Sequence, residues 1–183
     1  MKKKRRTRKK IKYTLPIAIL SSLLIVIAFL LIKNTSGNIS SKLVGPYDVK
    51  YVIDGDTFVA DIDGIETHIR LIGIDTPESV SQDPDKENTE EGEIASEYTK
   101  SILEDNEVYL EYDSEILDVY GRTLCYVYLH DKKTMLNEVL LKNGYAVIMT
   151  IEPNTKYEER FLLDEHEAKK DKIGFWGTGF FTE

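Results

Sequence analysis

Asp56, Arg70, Asp75, Glu78 and Arg122 stand in three short runs: Val52-Ile53-Asp54-Gly55-Asp56-Thr57, Arg70-Leu71-Ile72-Gly73-Ile74-Asp75-Thr76-Pro77-Glu78 and Asp118-Val119-Tyr120-Gly121-Arg122. Apolar alternation places Asp56 at the start of one strand and Asp75 at the end of the next. In an antiparallel pair those two ends are neighbours, so the two carboxylates converge. Hard oxygen ligands select Ca²⁺ or Mg²⁺ over zinc. Glu78 follows Asp75 across a turn stiffened by Pro77, within reach of a metal-bound water. Arg70 lies five residues before Asp75 on the same strand, and Arg122 approaches from a separate segment after a Tyr-Gly turn. Two carboxylates, a third acid and two guanidinium groups are the parts that phosphodiester hydrolysis needs. A metal binds phosphate and activates water, and forked Arg donors stabilise charge at phosphorus. Taken one at a time, the same aspartates are also ordinary turn residues, and Asp54-Gly55-Asp56 reads equally as a turn.

The elements that would position these groups are legible from periodicity. Val49, Tyr51 and Ile53 alternate with polar neighbours, as do Phe58, Ala60 and Ile62, and then Ile65, Thr67, Ile69 and Leu71. Asp63-Gly64 is a two-residue hairpin signal, so residues 47–74 are predicted to form a three-stranded meander. Residues 79–92 are polar and aperiodic, a loop; Asp83–Asn88 resembles a calcium loop but lacks its glycine. A helix is predicted at about 93–104, with Ile94, Tyr98 and Ile102 on its core side. Glu107–Asp113 and Arg122–Leu129 read as strands, and Thr134–Asn143 as a helix stopped by Gly144. Thr155-x-x-Glu158 is a capping box opening a last helix, with Phe161, Leu162 and Ala168 facing the core and Gly174 ending it. Five strands, one helix after the third and two at the end fit an α+β, five-stranded OB-fold barrel.

Charge divides the 183 residues. Residues 1–33 hold ten Lys/Arg and no acid, whereas residues 34–183 hold 14 Lys/Arg against 32 Asp/Glu, a net −18. Such a domain is not a general polyanion binder, so any nucleic-acid role must rest on a few local cations or a metal. Residues 1–14 read as a basic cytoplasmic segment and 15–32 as a transmembrane anchor. Eighteen residues of helix span about 27 Å, close to a hydrocarbon core of about 30 Å. The cationic flank keeps the N-terminus inside and sends the C-terminal domain outward. The competing reading is a cleaved signal peptide and a secreted domain, although no small-residue cleavage site follows the span. Residues 33–45 read as a linker, and 46–180 as the folded domain. Cys125, alone of its kind, excludes an intrachain disulfide and reads as a buried strand residue. His68, His130 and His166 are too dispersed for a zinc set.

The three runs, in this order and at these separations, resemble the staphylococcal-nuclease family over roughly residues 47–176. The Gly92–Ser96 stretch resembles the family's first-helix entry, and Trp176 its C-terminal packing tryptophan. The resemblance implies that Asp56 and Asp75 ligate Ca²⁺ through carboxylates and Thr76 through its main-chain carbonyl. It implies Glu78 as general base, Arg70 and Arg122 as phosphate clamps, and Tyr120 as a substrate-phosphate donor. The implied substrates are DNA and RNA, cut to 5′-hydroxyl and 3′-phosphate ends by a monomer. Two departures bear on substrate contacts. Val119 stands where well-known members carry a lysine, and Ile148–Glu152 lacks two family tyrosines. Lost stacking weakens binding by about 1–3 kcal/mol per base. The alternative reading is a non-catalytic nuclease-like binding module.

Overall fold

The computed structural model describes residues 42–79 and 88–182. The basic segment 1–14, the span 15–32 and residues 83–87 of the calcium-loop mimic fall outside these residues. Among the described residues, no helix is long and apolar enough to cross a membrane.

In chain order the elements are β1 (Val44–Asp54), β2 (Thr57–Ile62), β3 (Ile65–Leu71), β4 (Gly73–Asp75), α1 (Glu90–Leu103) and β5 (Glu107–Glu111). There follow β6 (Thr123–Tyr128), α2 (Leu136–Lys142), β7 (Val147–Met149), α3 (Glu158–Lys170) and α4 (Phe175–Thr178). Five strands close into a barrel in the order β1-β2-β3-β6-β5. All its pairings are antiparallel except β3 with β6. This is the expected OB-type barrel. Its interior holds Phe58, Ile69, Leu71, Leu110, Cys125 and Val127, the inward positions of alternating strands. Burial pushes the Cys125 thiol pKa up, consistent with an inert packing residue.

The β2–β3 hairpin turns on Asp63 and Gly64, with φ of 54° and 87°. Both positive values are what a type I′ turn demands. β1 starts at Val44, inside the expected linker, and a bulge between Val44 and Tyr47 fits it against β5.

Four sequence expectations are corrected. Asp75 does not end the third barrel strand: β3 stops at Leu71, and Gly73 (φ 80°) bends the chain into β4, which pairs with β7 in a separate two-stranded sheet. A side chain at Gly73 would run into the Phe161 ring, so glycine permits both the bend and the packing. Helix α1 begins earlier than predicted, capped by the Thr89 hydroxyl, which accepts from the Gly92 amide at 2.9 Å. Its buried face is Gly92, Ala95, Thr99 and Leu103, while Ile94 is 45% exposed. Small residues let the helix approach closely, and Thr99 donates to the Gly55 carbonyl at 2.6 Å.

The capping box at Thr155 does not form. Helix α3 starts at Glu158 behind Tyr157, with no side-chain cap. The residues before it are held by tertiary bonds instead: Lys156 Nζ lies 2.5 Å and the Tyr157 hydroxyl 2.9 Å from buried Glu111. Finally, Leu162 is exposed; Phe161, Asp164 and Ala168 form the buried face of α3.

Asn137, fully buried in α2, ties three elements together. Its Oδ1 accepts from the Val127 amide at 3.1 Å and its Nδ2 donates to the Ile72 carbonyl at 2.9 Å. Asn137→Leu fills similar space but strands both backbone groups. It is expected to lower unfolding free energy by about 2–4 kcal/mol in a denaturant titration. A loss below 1 kcal/mol would remove this residue from the account.

Candidate active site

The site begins with the β2–β3 register. Thr57 pairs with Arg70, and the Leu71 amide donates to the Asp56 carbonyl at 3.0 Å. Asp56, just before β2, is thereby set beside Arg70. Its carboxylate is buried. Oδ1 accepts from the Thr57 hydroxyl at 2.9 Å and Oδ2 from the Thr76 amide at 3.0 Å.

Arg70 bridges the two predicted carboxylate ligands. Its Nη1 lies 2.6 Å from Asp56 Oδ2, and its Nη2 donates to Asp75 Oδ1 at 2.8 Å. The first contact is ionic, since Nη1 makes no aligned hydrogen bond; the second is both ionic and hydrogen-bonded. The predicted convergence of Asp56 and Asp75 therefore exists, though the bend at Gly73 and the Arg70 fork produce it rather than a hairpin end.

Glu78 belongs to the same cluster through a residue that the motif reading did not assign. Asp54 Oδ1 accepts from the Gly55 amide at 2.8 Å, the Ser79 amide at 3.2 Å and the Ser79 hydroxyl at 2.9 Å. The Asp54 and Glu78 carboxyls also share a hydrogen bond. Burial, that shared bond and the nearby Asp56 charge raise the Asp54 pKa to about 7, against the opposing pull of the Gly55 and Ser79 donors. The Asp-x-Asp spacing was the available signal for Asp54.

The other flank of Glu78 rests on α1. Its carbonyl accepts from the Thr89 amide at 2.9 Å. Gly92 packs so closely that an added Cβ would overlap the Glu78 carbonyl and the Ser79 amide. Glycine in a first helical turn is otherwise unfavourable, by about 1 kcal/mol relative to alanine.

Arg122 is held differently, on a turn organised by Asp118. Asp118 Oδ1 accepts from the Tyr120 and Arg122 amides, each at 2.9 Å, and Oδ2 from Arg122 Nε at 2.7 Å. Burial opposes ionisation of Asp118, but the Arg122 amide and guanidinium outweigh it and hold the carboxyl below its ordinary range. The guanidinium carbon stands 5.5 Å from the Tyr120 ring centre. Buried Asn154 braces the chain upstream, exchanging two hydrogen bonds with the Glu115 backbone.

Arg70, Arg122 and Tyr120 line one cavity of about 580 Å³. Its remaining walls are mostly aliphatic, with Ile116, Leu117 and Val119 from one segment and Met149 and Ile151 from another. Met149 and Ile151 come from the stretch that lacks tyrosines, so the cavity offers apolar contact there.

Among the described residues, no group of three or more His, Cys, Asp or Glu is arranged to hold a metal. The oxygen donors brought together are the Asp56 and Asp75 carboxylates, gathered by one guanidinium, and the main-chain carbonyl of Thr76 is the third that the resemblance implies. An all-oxygen set with few protein ligands suits a hard divalent cation that keeps water or substrate oxygens in its shell.

A family model described as staphylococcal nuclease homologue matches residues 68–178. The chain belongs to the staphylococcal nuclease family. It is 43% identical to the thermonuclease of Staphylococcus hyicus over 141 residues, covering 77% of this chain and 81% of that protein. It is 39% identical to the thermonuclease of Staphylococcus intermedius over 171 residues, covering 90% and 98%. It is also 41% identical to endonuclease YncB of Bacillus subtilis (strain 168) over 133 residues, covering 71% and 61%.

Two outcomes are expected from the Glu78 surroundings. Gly92→Ala should keep the fold, because alanine favours the helix, but should displace Glu78. A misplacement near 1 Å costs about 10²-fold in turnover. A steady-state assay on DNA should show that loss in kcat with KM little changed, and wild-type kcat would overturn the packing argument. The second concerns pH. Folded Asp54 holds its proton up to about 7, whereas an ordinary aspartate releases it near 3.8. Between those values the folded state binds more protons than the unfolded, so this group's contribution to stability falls as pH rises. In chelating buffer, the Tm of Asp54→Asn minus that of the unaltered chain should increase from pH 4 to pH 7. A difference independent of pH would refute the assignment.

Proposed function

We propose that the chain is a calcium-dependent nuclease that hydrolyses DNA and RNA phosphodiester bonds, with its catalytic domain displayed outside the cytoplasm. That it is a phosphodiester-hydrolysing nuclease follows from its family. The observation that carries the residue-level reading is the Arg70 bridge: one guanidinium contacts both candidate carboxylate ligands and also lines the cavity that Arg122 and Tyr120 share.

In this reading Asp56, Asp75 and the Thr76 carbonyl hold the cation. When bound, the cation supplies Lewis-acid stabilisation of phosphate charge and acidifies water. Glu78, fixed between Asp54 and the start of α1, accepts the proton of the attacking water. The water oxygen bonds to phosphorus as the bond to the 5′-oxygen breaks, and the proton taken up by Glu78 returns through solvent to that leaving oxygen. Arg70 and Arg122 donate N–H bonds to the phosphoryl oxygens, whose charge grows in the transition state. Tyr120, a residue 82% exposed, would donate its hydroxyl to a substrate phosphate.

Location and metal identity rest on chemistry and sequence pattern. A cation-flanked apolar segment at 15–32 supports an outward-facing domain. Extracellular calcium modules bind at about 10⁻⁴–10⁻³ M, which suits so sparse a set of ligands.

The purified full-length chain, incubated with DNA in calcium, is expected to cleave it, and excess chelator should abolish cleavage. Arg70→Ala should lower kcat by about 10²–10³-fold, as loss of a transition-state donor does. Glu78→Ala should cost about 10²–10⁴-fold, the usual worth of a general base. Cleavage that survives chelation, or full activity in both variants, would refute the mechanism.

A further inference from the structure

A second cavity, of about 280 Å³, adjoins the one already described. It is lined by Glu66, Thr67 and His68 of β3 and by Tyr120, Gly121 and Arg122 of the Asp118 turn. Tyr120 and Arg122 line both cavities. They form the wall between them.

Glu66, His68 and Arg70 share one face of β3, since side chains alternate along a strand. His68 therefore stands two residues, or about 7 Å, along the strand from the arginine that bridges the acids. Its ring is exposed, as is that of Tyr120. Two flat rings and a planar guanidinium thus border one recess. Flat π-faces are what an unpaired base stacks upon, whatever its identity. The carboxylate of Glu66 makes the recess unsuited to a phosphate. It is suited to accepting hydrogen bonds from an exocyclic amine or a sugar hydroxyl.

A phosphodiester has a nucleoside on each side of phosphorus. We propose that the smaller cavity binds one of the two nucleosides flanking the scissile phosphate, with His68 and Tyr120 as its stacking faces, while the larger cavity takes the other. The proposal rests on the nuclease reading above. It supplies an aromatic platform on β3 in a chain whose larger cavity is walled mostly by aliphatic groups. It also makes the chain an enzyme that grips a strand on both sides of the cut and cleaves internally.

The experiment uses the full-length chain in calcium and a short fluorescent oligothymidylate. A second oligothymidylate carries a single base-free tetrahydrofuran residue. Product lengths give the rate at each bond. The unaltered chain is expected to cut both bonds beside the base-free residue about tenfold more slowly. That is the low end of the range for one stacked base, about 1–3 kcal/mol. His68→Ala should slow cutting of the intact strand by a similar factor through KM. It should also erase the penalty at one flanking bond and leave it at the other. His68→Phe, which keeps a flat ring, should behave nearly as the unaltered chain.

Unchanged kcat/KM on the intact strand in His68→Ala, or a penalty that persists at both bonds, would overturn the proposal while the nuclease reading stands. Failure of the unaltered chain to cut the intact strand would overturn both.

Discussion

Two carboxylates cannot be drawn together in a partly desolvated place without an opposing charge, and Arg70 supplies it. The planar fork reaches Asp56 with one nitrogen and Asp75 with the other. A lysine, as a point charge, would not span both in this way. Asp56 is additionally satisfied by the Thr57 hydroxyl and the Thr76 amide, which is why so buried a carboxylate is tolerated. Each partner arrives from a different part of the chain, and the barrel register decides whether they meet. A one-residue slip of β3 against β2 would turn Arg70 to the other face and separate it from Asp56. The Phe58–Ile69 pairing, with both side chains buried in the core, resists that slip.

What was readable in advance was local. Period-two alternation exposed the meander, and Asp63-Gly64 announced its turn. Arg70, Asp75 and Asp56 could be grouped because they stand near the ends of neighbouring predicted strands, although the bend at Gly73 and the Arg70 fork, not a hairpin end, bring them together. What could not be read depended on contacts across the fold. The buried stripe of α1 is Gly92, Ala95, Thr99 and Leu103, and its first three members carry almost no hydrophobic signal and are selected for how near the helix must come. The Thr155 box was a sound local signal, overridden because Lys156 and Tyr157 are drawn to Glu111. β4 was absorbed into β3 because nothing nearby says that Gly73 takes φ of 80°, a bend that only its packing against Phe161 explains. Asp54 looked like a turn residue, and it is one. Its further service to Ser79 and Glu78 appears only when residues 25 apart are brought together.

The two arginines are immobilised by opposite strategies. Arg70 sits on a barrel strand, with 12% of its side chain exposed, and is fixed by long-range structure. Arg122 belongs to a five-residue knuckle whose hydrogen bonds are nearly all to Asp118, a residue four positions away. One cation is therefore as rigid as the fold, and the other only as rigid as its turn and the Asn154 brace. In the proposed mechanism, a phosphate gripped by both would rest on one arginine set by long-range structure and one set by a local turn. Tyr120 moves with the second half, because its amide is held by the same carboxylate.

A net −18 on residues 34–183 stands at odds with a polyanionic substrate until the cations are counted where they act. Arg70 and Arg122 are each already engaged by acids, so neither brings a large unscreened positive field to the surface. Few counterions would be displaced from the substrate by so few basic contacts, so affinity must come from elsewhere. The aliphatic walls at Leu117, Val119, Met149 and Ile151 supply apolar contact, and the oxygen cluster supplies a place for a divalent charge. Acidity then becomes a condition of the design. In the proposed mechanism, a site that carries no standing positive field would engage phosphate strongly only once a divalent cation has joined it, which would bind recognition and catalysis to the same event.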